Sequence, residues 1–83
     1  MRVCLHPHAW ARLAERGATE EEVISTVKEG ERFPAKFERA GFRHNFTFDG
    51  LWHGRRYSTK QVEVYAVQED EEWLVITVVT RYF

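Results

Sequence analysis

The chain has 83 residues, 43% of them hydrophobic and 14% aromatic, which excludes disorder and allows one domain, residues 1–83. Its single cysteine, Cys4, excludes an intrachain disulfide scaffold, and a formal net charge of −1 excludes a uniformly basic nucleic-acid binder. No stretch approaches the roughly 20 apolar residues of a membrane span and the first residues lack an apolar signal core, so a cytoplasmic protein with no membrane partner is expected.

Pro7 suits the first turn of a helix and Gly17 the left-handed position after its end, so a first helix is expected over Pro7–Arg16. His8, Arg12 and Arg16 then form one basic stripe at i, i+4 spacing, with Trp10, Leu13 and Ala14 directed inward. Arg16, in the last turn, is explained by the helix dipole. Thr19-Glu20-Glu21-Glu22 is a capping box, and a second helix follows over Glu20–Glu29, burying Val23, Ile24 and Val27 and stopping at Gly30.

Beyond Glu31 the period changes to two. Pro34 makes Arg32–Arg39 an edge strand or an extended loop. Phe42, His44, Phe46 and Phe48 alternate with polar residues as in a half-buried strand, and Asp49-Gly50 signals a turn. Arg55–Thr59 is a short strand or runs into the next one, Val62–Val67 alternates, and Trp73–Tyr82, apolar on both faces, belongs inside the sheet. The expected fold is α+β: two N-terminal helices packed on one face of a three- to four-stranded antiparallel sheet.

Charge is segregated along the chain. Residues 31–60 carry seven Lys or Arg against three acidic groups, whereas residues 61–83 carry Arg81 against five, enough to build a local positive field on a near-neutral protein. Cys4, His6 and His8 share i, i+2, i+4 spacing, but Pro7 breaks the alternation and no fourth ligand is clustered, so neither a metal nor a cofactor is expected. There is no Gly-x-Ser-x-Gly, Walker loop, dinucleotide fingerprint or His-Glu-x-x-His.

The remaining chemistry suits a polyanion. Metal-independent RNA cleavage needs a base, an acid and cations for the charge building on phosphorus, and His, Lys, Tyr and Arg supply these. Each candidate also has a plain structural account: Arg12 pairing with Glu15 or Glu22, Lys60 and Arg81 lying across the sheet from Glu63, and Tyr57 in the core.

His-Pro-His-Ala-x-x-Arg-x-x-Glu-Arg-Gly with Thr-Glu-Glu-Glu-Val, then Gly-Glu-x-Phe-Pro-Ala-Lys, Tyr-x-Thr-Lys-Gln-Val-Glu-Val-Tyr and Val-Ile-Thr-Val-Val-Thr-Arg-Tyr-Phe resemble a family of small prokaryotic domains of unknown function. That family is distantly similar to the RelE and ParE toxins and the metal-independent ribonucleases. The resemblance implies a RelE-like fold and matches His8, Arg12, Lys36, Tyr57, Lys60, Gln61, Glu63, Thr77 and Tyr82 to motif positions. The catalytic candidates among these are His8, Lys36, Tyr57 and Lys60, and the phosphate candidates are Arg12 and Tyr82 together with Arg39 and Arg81, two further cations suited to a polyanion. The expectation is an RNA-binding protein and metal-independent endoribonuclease of toxin-like type, partnered by RNA or the ribosome and an antitoxin-like protein. The alternative is a non-catalytic homodimerisation or partner-binding module using Trp52, Phe83 and the edge strand.

Overall fold

The computed structural model describes every residue from Met1 to Phe83, and its first element, strand β1 (Arg2–Leu5), is absent from the expected fold. Helices α1 (Pro7–Arg16) and α2 (Glu20–Glu29) follow, then β2 (Glu31–Pro34), β3 (Ala40–Trp52), β4 (Arg55–Glu69) and β5 (Glu72–Tyr82). The strands form one sheet in the order β1-β5-β4-β3-β2, with β1 parallel to β5 and every other pair antiparallel. The α+β class therefore holds. The sheet, however, has five strands rather than three or four, is mixed rather than antiparallel, and begins before the helices.

The reason is local. Val3 and Leu5 alternate toward the core, and the N–H of His6 donates to the Val75 carbonyl at 2.9 Å before Pro7 turns the chain into α1. Four residues ahead of a proline give too short a pattern to read as a strand.

The ends of α1 follow the sequence signals. His6 caps the start, its Nδ1 accepting from the His8 N–H at 3.0 Å. Gly17 is left-handed at φ 71°, while the Gly17 and Ala18 N–H groups reach back to Ala14 and Leu13, a Schellman closure. Leu13 is buried as expected, but its partner toward the sheet is Ala9, while Trp10 is 52% exposed and Ala14 is exposed. With alanine at the contact, α1 lies closer to β5 than a Trp ring would permit.

The capping box of α2 forms as expected, with Thr19 and Glu22 bonding each other's backbone N–H at 3.1 and 3.0 Å. Val23, Thr26 and Val27 are buried and Ile24 is half-buried; the Thr26 hydroxyl satisfies itself on the Glu22 carbonyl at 2.7 Å. Both helices cover the side of the sheet that carries Phe42, Val62, Val64, Ala66, Trp73, Val75 and Val78. Arg55–Thr59 is continuous with Val62–Val67 in β4, Pro34 lies in edge strand β2, and β5 is interior. No helix is long and apolar enough to cross a membrane.

Candidate functional site

Because side chains alternate along a strand, the residues between the core positions point to the face that no helix covers. Register sets Glu31 beside Arg43 and Arg43 beside Glu63, with Gln61 beside Arg81. Arg43 Nη2 lies 3.1 Å from Glu31 Oε1, and Arg81 Nε donates to Glu63 Oε2 at 3.1 Å. The Tyr65 hydroxyl donates to Glu63 Oε1 at 2.8 Å.

Glu63 is 5% exposed on a face without a helix, since its neighbours' side chains cover it. Burial pushes its carboxyl up, but the hydrogen bonds from Arg81 and Tyr65 and the charges of Arg81 and Arg43 outweigh burial and hold it below the usual carboxylate range. Tyr65 is pushed up, first by donating to Glu63 and then by burial. Glu63 is thus a fixed anion that orients Arg81 and Tyr65. The Arg81 and Arg43 side chains remain 60% and 38% exposed, with N–H donors left for a ligand.

Two recesses flank this centre. One, of about 510 Å³, is polar and lined by Glu31, Arg43, His44, Asn45 and Gln61. The other, of about 440 Å³, is bordered by Phe33, Lys36, Phe37, Arg39, Tyr65 and Thr77. Phe33 meets Tyr65 edge-to-face at 5.9 Å, and Arg43 lies over the Phe33 ring at 4.5 Å. Gly41 is required beneath, because a Cβ there would enter the Phe33 ring.

The expected site residues do not gather in one place. Lys36, Arg39 and Arg81 belong to the uncovered face. Lys60 is on the opposite side: its Nζ is buried beneath the helices, 2.8 Å from the Glu22 carboxylate and 2.9 Å from the Gly17 carbonyl. Tyr57 and Tyr82 join an aromatic group with Trp52, whose ring stacks on Tyr82 at 4.7 Å, and the Tyr82 hydroxyl donates to the Arg16 carbonyl at 3.1 Å. Burial pushes the Tyr82 phenol up. His8 is exposed at the start of α1, and Arg12 pairs with Glu15 at 3.4 Å. Arg81 does face Glu63, as its plain structural account had it; Lys60 does not.

Arg43, Tyr65, Phe33 and Phe37 had no place among the expected site residues. Their signal was the alternation itself: Glu63 and Tyr65 are the out-of-core positions of Val62–Val67, opposite Arg43 and Gly41. No group of three or more His, Cys, Asp or Glu side chains is arranged to hold a metal ion. Cys4 Sγ faces Glu72 at 3.6 Å, and His6 is used as a cap.

Fold and face together define a two-layer α+β domain with helices on one side of a mixed sheet and an arginine, tyrosine and carboxylate network on the other. No family model, curated protein or solved structure matches the chain.

Proposed function

We propose that the domain binds single-stranded RNA across the uncovered sheet face. The observation that carries this reading is that cations and aromatic rings share a face that no helix covers. Lys36 and Arg39 enter none of the ion pairs within the protein and remain available for phosphate, and Phe33, Phe37 and Tyr65 offer rings beside them. The motif resemblance expected from the sequence, to a family of unknown function that is itself distantly similar to RelE-type ribonucleases, is in keeping with this reading.

Binding is favoured over cleavage because the expected acid and base groups do not converge. Lys36 borders this face, but His8 begins α1, Lys60 is buried on Glu22 beneath the helices, and Tyr57 belongs to the aromatic group with Tyr82. The test is anisotropy of a labelled single-stranded RNA titrated with protein over a range of salt, with chelator present and the RNA inspected afterwards on a gel. Salt-sensitive binding supports the reading, and no binding at low salt overturns it. Cutting under chelator would add the endoribonuclease activity expected from the sequence.

A further inference from the structure

The loop between β2 and β3 is built unlike the rest of the surface. Phe37 is 81% exposed, the most exposed of the large hydrophobic residues. It and Glu38 are consecutive non-glycine residues in the left-handed region, at φ 61° and 58°. Such backbone is disfavoured for L side chains and persists where surrounding structure holds it. Here it holds a phenyl ring outward at the mouth of a recess instead of into the core. Arg39 lies over that ring at 5.9 Å, Lys36 precedes it, and Tyr65 and Thr77 lie behind it.

We propose that this recess receives one unstacked nucleobase, which stacks on Phe37 while Lys36 and Arg39 hold the adjoining phosphate. The proposal rests on the RNA-binding reading and deepens it. The recess is open to solvent, with about 440 Å³ of space, which admits a planar base, and two observations select this occupant. Two cations without acidic partners sit beside the exposed ring, which complements a base attached to a phosphate rather than an aliphatic side chain. Thr77 adds a hydroxyl at the wall, able to donate to or accept from a base edge. A base in a duplex is stacked between neighbours and its flat faces are hidden, so the recess discriminates single strands from duplexes.

The experiment uses the full chain, unaltered and as Phe37→Ala, Phe37→Trp and Lys36→Ala. Each is titrated against a single-stranded RNA, the same sequence as a duplex, and inorganic polyphosphate. Phe37→Ala is expected to weaken single-stranded RNA binding about tenfold and to leave polyphosphate binding unchanged, while Phe37→Trp restores RNA binding. Lys36→Ala is expected to weaken both. Because Phe37 packs so little surface, its variants keep the parental circular dichroism and unfolding midpoint. If Phe37→Ala binds RNA as tightly as the parent, or the duplex binds as tightly as the single strand, the recess is overturned and RNA binding itself stands. If the unaltered protein binds polyphosphate but no RNA, the reading beneath the recess falls with it.

Discussion

The Lys60 ammonium lies 2.8 Å from the Glu22 carboxylate, joining the middle of β4 to the first turn of α2 across 38 residues of chain. The same Nζ donates to the Gly17 carbonyl between the helices, so one lysine braces the whole helical hairpin onto the sheet. Glu22 is also the capping-box residue of α2. Replacing Lys60 with Met leaves a carboxylate that is 20% exposed without its cation, and a loss of about 2–4 kcal/mol is expected. Urea unfolding at neutral pH measures it, and parental stability in this variant would refute the bracing role.

A second prediction concerns acid. The Glu63 carboxyl is lowered in the folded state, so near the unfolded value of about 4.3 the unfolded chain binds more protons, and stability there rises with pH. The contribution is present above that value and is lost as pH falls through the folded one. Glu63→Gln removes the charge but keeps an acceptor for Tyr65, and should cost roughly 1–3 kcal/mol at neutral pH. The gap between parent and variant should narrow as the solution is acidified. A gap that is constant with pH would show that Glu63 contributes packing only.

At the alkaline end, Tyr65 and Tyr82 both titrate above the usual phenol value, Tyr65 through its bond to Glu63 and Tyr82 through burial. A raised folded value means that the folded state keeps its proton longer. The stabilisation is complete below the unfolded value of about 10 and disappears as pH rises through the folded one. Ultraviolet titration of the folded protein should show two late phenols, one lost in Tyr65→Phe and one in Tyr82→Phe. The protein in denaturant should show none.

Gly17 tests the junction between the helices. Its φ of 71° suits glycine, and a Cβ would lie 2.5 Å from both the Trp52 ring and the Tyr82 hydroxyl. Gly17→Ala is therefore expected to cost about 2–3 kcal/mol, more than backbone strain alone, because it also pries open the aromatic group. A thermal midpoint within a degree or two of the parent would contradict this placement.

On the uncovered face, Lys36→Ala and Arg39→Ala should each reduce the slope of log affinity for single-stranded RNA against log salt by about 0.7. His8→Ala and Arg12→Ala, on α1, should leave that slope unchanged. Equal effects from the two pairs would move the binding surface to the helices.

Both helices were legible because their stop signals are local: Pro7, Gly17, the capping box and Gly30 lie within a few residues of the ends they set. The middles of β3 and β4 were legible by alternation and β5 by its apolar run, but the turn expected at Asp49-Gly50 is a register shift within β3, and the chain turns instead at His53-Gly54. The inward face of α1 was misjudged because hydrophobicity ranks Trp10 above Ala9, whereas packing on β5 rewards the smaller residue. Lys36, Arg39 and Arg81 stood out as cations, but nothing near Lys60 indicates that Glu22 is its partner. The Arg43, Glu63, Tyr65 and Arg81 network depends on register among three strands, information that exists only after the sheet has formed.

The parallel pairing of β1 with β5 also sets an order of events in folding. Residues 2–5 pair with residues 72–75, about 70 positions further along the chain, so the first strand has no partner until β5 is in place. The helical hairpin and the antiparallel strands close through nearer contacts, whereas this pair must close the longest loop in the sheet. While it stays open Val3 and Leu5 are exposed, and two chains have the opportunity to exchange first strands.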